Sequence, residues 1–542
     1  MAKSTLRASF ALSLAVLSSR VLGVVRESLF AAMFGAGKIS DAYLVAFRIP
    51  NMLRDLFAEG ALSSAFVPTF TKTLESEGKA RAFALGNLVM TGLLLVTGLL
   101  TLLGIVFTEP LVHLFAGLGV EVPKGELTVR LTQIMMPVMA LISVSAVWMG
   151  MLNAQNRYVA PAFAPAIFNV VSICGGFALL AAGLPAERAI VWFASITVVS
   201  AMAQGFCQWP SLLRTGFRPR LAVSGLFRDE GVRRIVRLMG PAVLGLAAVQ
   251  INIVVNTRFA AALGDGPQTY LNNAFRLFYL PVGMFGVALA TVTTTRVSEE
   301  AARGDRTALL AKTAESLRGV WMLATASTVG LFVLAEPVVT LLYQRGLFTH
   351  ENTLATAATT QAFILGVLPY SMVKNLAPAF YAIDRPRIPM MASLLAVISN
   401  LVFNTLTYKH LGAPGLALGT TISATVNYLV LRIAYARFIG TLRTPFWPRL
   451  AFALLLGNIA LAGLAYSFEL AGLVAARSMG LTVGPGGKGF VGACVLMGSI
   501  GVAFLSYTRI LKWLSYPGAA ELSDLPGKIV SKLRRRGSSQ RV

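Results

Sequence analysis

Residues 81–108 read RAFALGNLVMTGLLLVTGLLTLLGIVFT, an apolar run long enough to cross a hydrocarbon core of roughly 30 Å as a helix. In lipid every backbone N–H and C=O must find its partner within the protein, so a run of this kind is helical. Similar runs recur along all 542 residues, 56% of which are hydrophobic and only 13% charged, with a mean hydropathy of +0.70. A soluble protein keeps about a quarter of its residues charged. The expected class is an all-α polytopic membrane protein. Its spans are expected at 8–34, 40–72, 81–108, 127–153, 160–183, 187–214, 233–263, 268–297, 307–335, 353–382, 388–410, 414–440, 447–470 and 488–514, about fourteen in all.

The net charge of +24 at first suggests a nucleic-acid partner, but its distribution excludes one. With a cytoplasmic N-terminus, the loops on that side hold roughly 30 Lys and Arg and those on the other side roughly 8. The richest are Arg214, Arg218, Arg220, Arg228, Arg233, Arg234 and Arg237, and the tail Lys528, Lys532, Arg534, Arg535 and Arg536. This asymmetry orients the chain in a bacterial inner membrane and attracts anionic membrane lipids. An even number of spans returns the C-terminus to the cytoplasm. Lys3 and Arg7 precede the first apolar stretch as in a signal peptide, but no small-residue cleavage site follows, and a retained helix is expected. Cys174, Cys207 and Cys494 lie in apolar runs without paired spacing and read as small core residues, forming neither a disulfide framework nor a metal site.

Two stretches resemble each other. Residues 30–48, FAAMFGAGKISDAYLVAFR, join the first two spans, and residues 259–276, FAAALGDGPQTYLNNAFR, join the seventh and eighth. Pro50 and Pro281 follow the two terminal arginines. Against chance similarity between Ala- and Phe-rich segments stands the shared topological position. An offset of six spans makes the halves parallel repeats. Two six-helix lobes are expected, 1–225 and 226–440, followed by an extra helical pair in 441–514 and a basic cytoplasmic tail, 515–542.

Ionisable residues within spanning helices are costly, about 2.5–3.5 kcal/mol each at the centre. Span one carries Arg20, Arg26 and Glu27, and span two carries Asp41, Arg48, Arg54, Asp55 and Glu59; Arg258 and Arg276 lie in spans seven and eight. Guanidiniums in a membrane cavity suit a diphosphate, since each planar fork holds phosphate oxygens bidentately and stays charged. The alternative is internal pairing, Arg26 with Glu27 and Arg54 with Asp55 or Glu59. Arg48 is expected to snorkel to the interface.

Ser19-Arg20-Val21-Leu22-Gly23-Val24-Val25-Arg26-Glu27, Phe34-Gly35-Ala36-Gly37, Asp41-Ala42-Tyr43, Phe47-Arg48-Ile49-Pro50-Asn51, Phe57-Ala58-Glu59-Gly60-Ala61 and Ala65-Phe66-Val67-Pro68 together resemble the N-terminal signature of the MurJ (MviN) lipid II flippase family. The likeness extends through Arg276 and Pro281-Val282-Gly283 to the last span, where it narrows the choice only to the multidrug/oligosaccharidyl-lipid/polysaccharide exporter superfamily. It implies two six-helix lobes working by alternating access, with a groove for the polyprenyl tail formed by the last two helices. It further implies substrate-binding Arg20, Arg26, Arg54 and Arg276 and gating acids Asp41 and Glu59. The implied partner is lipid II, an undecaprenyl-diphosphate-linked precursor, with other cell-wall synthesis proteins as further partners.

A family sodium site would fall among Asn252, Asn256, Asn400, Asn404 and Thr421. These are amides where a strong site wants a carboxylate, and buried Asn more commonly hydrogen-bonds between helices. The sequence calls for no catalytic residue, no metal and no cofactor. The adjacent acids Asp229-Glu230 and Glu299-Glu300 stand among arginines, and Gly484-Pro485-Gly486-Gly487-Lys488 lacks the setting of a phosphate loop. Besides the flippase, the readings that remain are an exporter of another lipid-linked oligosaccharide or small molecule, and a non-transporting scaffold, which intramembrane arginines disfavour. Cysteine-accessibility labelling checks the orientation. A cysteine at Gly119 is expected to label from outside and one at Ser539 only from inside, and the opposite pattern reverses the topology.

Overall fold

A computed structural model describes residues 2–56, 62–117, 122–442, 448–479 and 489–524. Glu59, Gly119, Ser539 and the basic residues beyond 524 fall outside them. Every regular element among the described residues is a helix. Two compact units emerge, Met1–Thr269 with Arg345–Asn352, and Tyr270–Gln344 with Thr353–Val542.

The first unit opens with α1 (Ala2–Phe34), α2 (Lys38–Arg54), α3 (Leu62–Ser76), α4 (Gly78–Val106), α5 (Thr108–Ala116), α6 (Val122–Met135) and α7 (Pro137–Ala154). It continues with α8 (Val159–Ala181), α9 (Ala186–Phe206), the short α10 (Trp209–Leu213) and α11 (Glu230–Ala261). Helix α1 packs on α8, α8 on α9, α2 on α6, and α4 and α3 on α7. An aromatic knot of Phe30, Phe34, Tyr43 and Phe193, with ring centroids 5.0–5.7 Å apart, joins α1, α2 and α9. The detached segment 345–352 belongs to this unit through two glycines, Gly346 and Gly35, which let its backbone meet the end of α1. The Leu347 amide donates to the Ala32 carbonyl at 2.9 Å, and a Cβ at Gly346 (φ +53°) would stand 2.2 Å from that same oxygen.

Helix α12 (Pro267–Pro281) leads into the second unit, followed by a π-helical turn (Val282–Val287), α13 (Ala288–Ala302), α14 (Arg306–Val333), α15 (Ala335–Tyr343), α16 (His350–Ile364) and α17 (Val367–Ala382). Pro281 lacks the N–H for the α-helical ladder, and the turn widens to i→i+5 directly after it. Helix α18 (Arg387–Phe438) is 52 residues long, but Gly412 at φ 58°, ψ −144° breaks it two residues before Pro414, where the boundary between the spans 388–410 and 414–440 was expected. Helices α19 (Pro448–Ser478) and α20 (Phe490–Trp513) form an antiparallel hairpin, and α21 (Ala519–Ser523) caps it. Its contacts pair Gly457 with Tyr507, Phe468 with Gly498 and Gly472 with Val495. Small residues admit the facing side chains, as close membrane-helix packing requires.

Ten helices among the described residues are long and apolar enough to cross a membrane, the 52-residue α18 among them. The expected spans 8–34, 40–72 and 233–263, which carry Arg20 through Glu59 and Arg258, are not in that set; the second is divided between α2 and α3. Faces such as Leu95, Leu99, Leu102 and Val106 of α4 are exposed, as surfaces meant for lipid are. Cys174 and Cys494 also lie on exposed faces and Cys207 is half-buried, so the cysteines are not core residues. Their apolar surroundings are the lipid-facing side of the helices, which composition alone does not separate from the core.

Gly346→Ala is expected to cost about 3 kcal/mol, through left-handed strain and collision with the Ala32 carbonyl. Gly183→Ala, at φ +61° in open space, is expected to cost about 1 kcal/mol. Thermal unfolding of the purified variants in detergent checks the order.

Candidate functional site

Two of the arginines of α1 and α2 are answered by their neighbours in sequence. Arg26 donates through Nη2 to Glu27 Oε1 at 2.6 Å, and its guanidinium lies over the Phe168 ring, 5.3 Å from the centroid. Arg54 donates to Asp55 Oδ1 through Nε (3.0 Å) and Nη2 (2.5 Å). Both arginine side chains are 18% exposed. The internal pairs weighed against a ligand role are therefore present. Arg20 is exposed on α1 and has no hydrogen-bond or ion-pair partner among the described residues. Between Arg20 and Arg26, the Asn169 amide of α8 donates to the Ser19 carbonyl at 3.0 Å and stands 3.6 Å from where a Cβ on Gly23 would be. That carbonyl is also the i−4 acceptor for Gly23, so a side chain shares in the backbone ladder at this point. Arg276 is exposed on α12, in the second unit. Arg48 is half-buried and donates through Nη1 to Thr257 Oγ1 of α11 at 2.9 Å.

Asp41 is the most completely answered charge, with 0% exposure. Its Oδ2 accepts from the Gly266 amide (2.8 Å), and its Oδ1 accepts from the Thr269 amide (2.9 Å) and hydroxyl (2.7 Å). An α2 carboxylate thereby caps the N-terminus of α12, where unsatisfied amides and the helix dipole favour an anion. Lys124 at the start of α6 completes the cluster, with Nζ 3.7 Å from Asp41 Oδ2 and donating to Asp265 Oδ1 (2.6 Å) and the Gly264 carbonyl (3.0 Å). Gly264 and Gly266 at φ +96° and +108° give the loop the shape that aims these groups at Asp41. Sequence reading missed Lys124 and Asp265. The signal it offered was a cation in an expected outer loop where cations are scarce.

Of the candidate ion residues, Asn400 and Asn404 engage each other. Asn404 Nδ2 donates to Asn400 Oδ1 at 3.0 Å, both side chains are buried, and Gly419 leaves room for the Asn404 carbonyl, 2.0 Å from where a Cβ would be. The Thr421 hydroxyl donates to the Ala362 carbonyl at 2.8 Å. Asn252 is half-buried on α11 in the first unit. No group of three or more His, Cys, Asp or Glu among the described residues is placed to hold a metal. Glu469, also missed, is buried in the α19–α20 hairpin and accepts from the Ser499 hydroxyl at 2.9 Å. Beside the hairpin lies an apolar cavity of about 350 Å³, lined by Pro281, Met284, Gly330, Leu461, Ile500 and Phe504 among others.

Residues 30–479 match the family model described as "Lipid II flippase MurJ". The chain belongs to the MurJ family. It is 31% identical over 474 residues to the lipid II flippase MurJ of Burkholderia cenocepacia, covering 86% of this chain and 91% of the relative. It is equally 31% identical over 441 residues to the probable lipid II flippase MurJ of Buchnera aphidicola subsp. Acyrthosiphon pisum, covering 81% and 85%. In fold it is similar to a lipid II flippase MurJ in an inward closed conformation, with a TM-score of 0.75, 24% identity, and 93% and 99% of the two chains covered. An inward-facing MATE-family transporter of the MOP superfamily shares the fold at a TM-score of 0.66 and 14% identity, with 78% and 94% covered. The MurJ-like signature of α1 and α2 is therefore the stretch that holds the acid–arginine pairs and the Asp41 cap.

Lys124→Met is expected to destabilise the protein by about 3 kcal/mol, because it strips the cation from a buried carboxylate. Adding Asp41→Asn should restore part of that loss, since it removes the buried charge and keeps one oxygen for the Thr269 amide, while its Nδ2 is left facing the Gly266 amide. A double-mutant cycle by thermal unfolding reads the coupling, and additive effects would mean that the two charges do not sense each other.

Proposed function

We propose that this chain is a lipid II flippase, carrying the undecaprenyl-diphosphate-linked peptidoglycan precursor from the cytoplasmic to the outer leaflet of the inner membrane by alternating access. Membership of the MurJ family over residues 30–479 is the observation that carries the proposal. The lipid is moved and not altered, so the chain is a transporter and not an enzyme. In this reading residues 1–225 and 226–440 act as two six-helix lobes, both termini are cytoplasmic, and the 441–514 hairpin with its apolar cavity receives the polyprenyl tail.

Arg20, Arg26, Arg54 and Arg276 are the proposed diphosphate-binding residues. The local pairs favour an exchange mechanism. Glu27 and Asp55 hold Arg26 and Arg54 in the absence of substrate, and the diphosphate takes over the guanidinium when it enters, so that no bare charge stands in a low-dielectric cavity. Arginine suits the exchange because its fork binds carboxylate and phosphate with the same geometry. Asp41, with Lys124 and Asp265, is the proposed outer gate, and Glu59 is the second proposed gating acid. Opening that gate must break the Asp41 cap on α12 and supply its amides with water. An anionic cargo and a cationic cavity also let the membrane potential contribute, about 2.3 kcal/mol per net charge per 100 mV. The Asn400–Asn404 region, with Asn252 and Thr421, is retained as a candidate monovalent-ion site that would require the amide pair to reorganise.

Alanine at Arg20, Arg26, Arg54 or Arg276 is expected to abolish rescue of cells depleted of their own flippase, with the variant protein still inserted. Lysine should rescue poorly where two phosphate oxygens are held at once. Lipid II assayed in each leaflet gives the direct readout. If all four alanine variants support growth, the arginines are structural and the binding assignment fails.

A further inference from the structure

We infer that residues 217–228, the strap between α10 and α11, form a binding surface for anionic phospholipid of the cytoplasmic leaflet, separate from the substrate path. The strap is fixed to α4 from one side. Phe217 is buried edge-on against Phe83, with centroids 5.4 Å apart. Asn87 donates to the Arg218 carbonyl (3.4 Å) and accepts from the Arg220 amide (3.0 Å), and Thr91 Oγ1 accepts from the Ala222 amide (2.9 Å). Buried Leu226 sits over Gly92, where a Cβ would come within 3.0 Å of it.

With the backbone pinned, the outward side is defined. Leu221, Val223 and Phe227 are 72%, 62% and 84% exposed, among exposed Arg218, Arg220, Arg228, Arg234 and Arg237. None of these arginines has a carboxylate within ion-pair distance among the described residues. Asp229 is engaged by Arg81 at 2.8 Å and caps α11 through the Val232 amide, which leaves exposed Glu230 as the nearest acid in sequence. Large apolar groups next to unpaired guanidiniums are stable together only where hydrocarbon and anions are both in reach, which is the headgroup boundary of an anionic leaflet.

The depth agrees. The charge-free stretch of α4 runs from Ala82 to Val106, and the part beyond Asn87, Leu88–Val106, rises about 27 Å, close to the thickness of a hydrocarbon core. The first turns of α4, with Lys79, Arg81 and Asn87, then lie at the boundary, and that is where Asn87 and Thr91 hold the strap. Leu221, Val223 and Phe227 then reach the first acyl carbons, and the arginines meet phosphate.

Two experiments on the full-length protein test this. In the first, a nitroxide is placed at Phe227→Cys, with the three native cysteines replaced by serine, in bilayers containing phosphatidylglycerol. Its collisions should favour oxygen over a water-soluble nickel chelate, and the reverse would place the strap in water and overturn the inference. In the second, native mass spectrometry compares phosphatidylglycerol with phosphatidylcholine. The wild type should prefer phosphatidylglycerol, and R218Q/R220Q/R228Q should weaken that preference about tenfold, with L221S/V223S/F227S weakening both lipids. An unchanged preference in the arginine variant overturns the inference. So does a variant that keeps its phosphatidylglycerol but loses capture of lipid II, since the strap would then belong to the substrate path.

Discussion

A polar group cannot stand unanswered in hydrocarbon, and the chain meets that constraint at two levels. Backbone groups are answered by helices throughout the described residues. Many hydroxyls follow the same rule: Thr97, Thr101, Ser143 and Thr313 each donate to the carbonyl four residues earlier, so they need no partner from another helix. Ionised groups without an opposite charge beside them in sequence, such as Asp41, have no such local remedy. They determine where α2, α6 and the loop before α12 must lie, because Asp41 draws two amides, a hydroxyl and an ammonium onto one point.

Sequence reading follows this constraint only as far as it is local. Helix class and most boundaries were legible because apolar runs and their interruptions are contiguous, down to the break at Gly412 and Pro414. The Arg26–Glu27 and Arg54–Asp55 pairs were legible for the same reason, each joining neighbours in sequence. The Lys124–Asp265 pair joins residues 141 apart, and Arg48 reaches Thr257 across 209. No periodicity encodes such distances, so neither contact is legible in the sequence. The cysteines failed for another reason. In water apolar means inside, but in lipid both the core and the outer surface are apolar, so Cys174 and Cys494 on exposed faces read like core residues.

The family signature and the geometry bear on different questions. The match to MurJ over residues 30–479 places the chain in its family, while the contacts indicate how intramembrane arginines are tolerated between transport events. An arginine with a neighbouring acid costs less to keep in a cavity than a bare one, but the acid must be displaced before a diphosphate binds both nitrogens of the fork. In the proposed exchange, affinity for the cargo is a difference between two strong interactions, which is what a carrier needs if it is also to release.

The charge excess of +24 thus divides into two populations governed by dielectric. Inside the membrane-facing bundle Arg26 and Arg54 carry a carboxylate within 2.6 Å, because in a medium of low polarity nothing else supplies the countercharge. On the strap Arg218, Arg220 and Arg228 carry none, and they lie beside exposed Leu221, Val223 and Phe227. An unpaired guanidinium is tolerable there because water and lipid phosphate provide the counterion from outside the chain. The same side chain therefore forms an internal pair at Arg26 and Arg54 and faces outward unpaired on the strap, which is fastened to the charged end of α4.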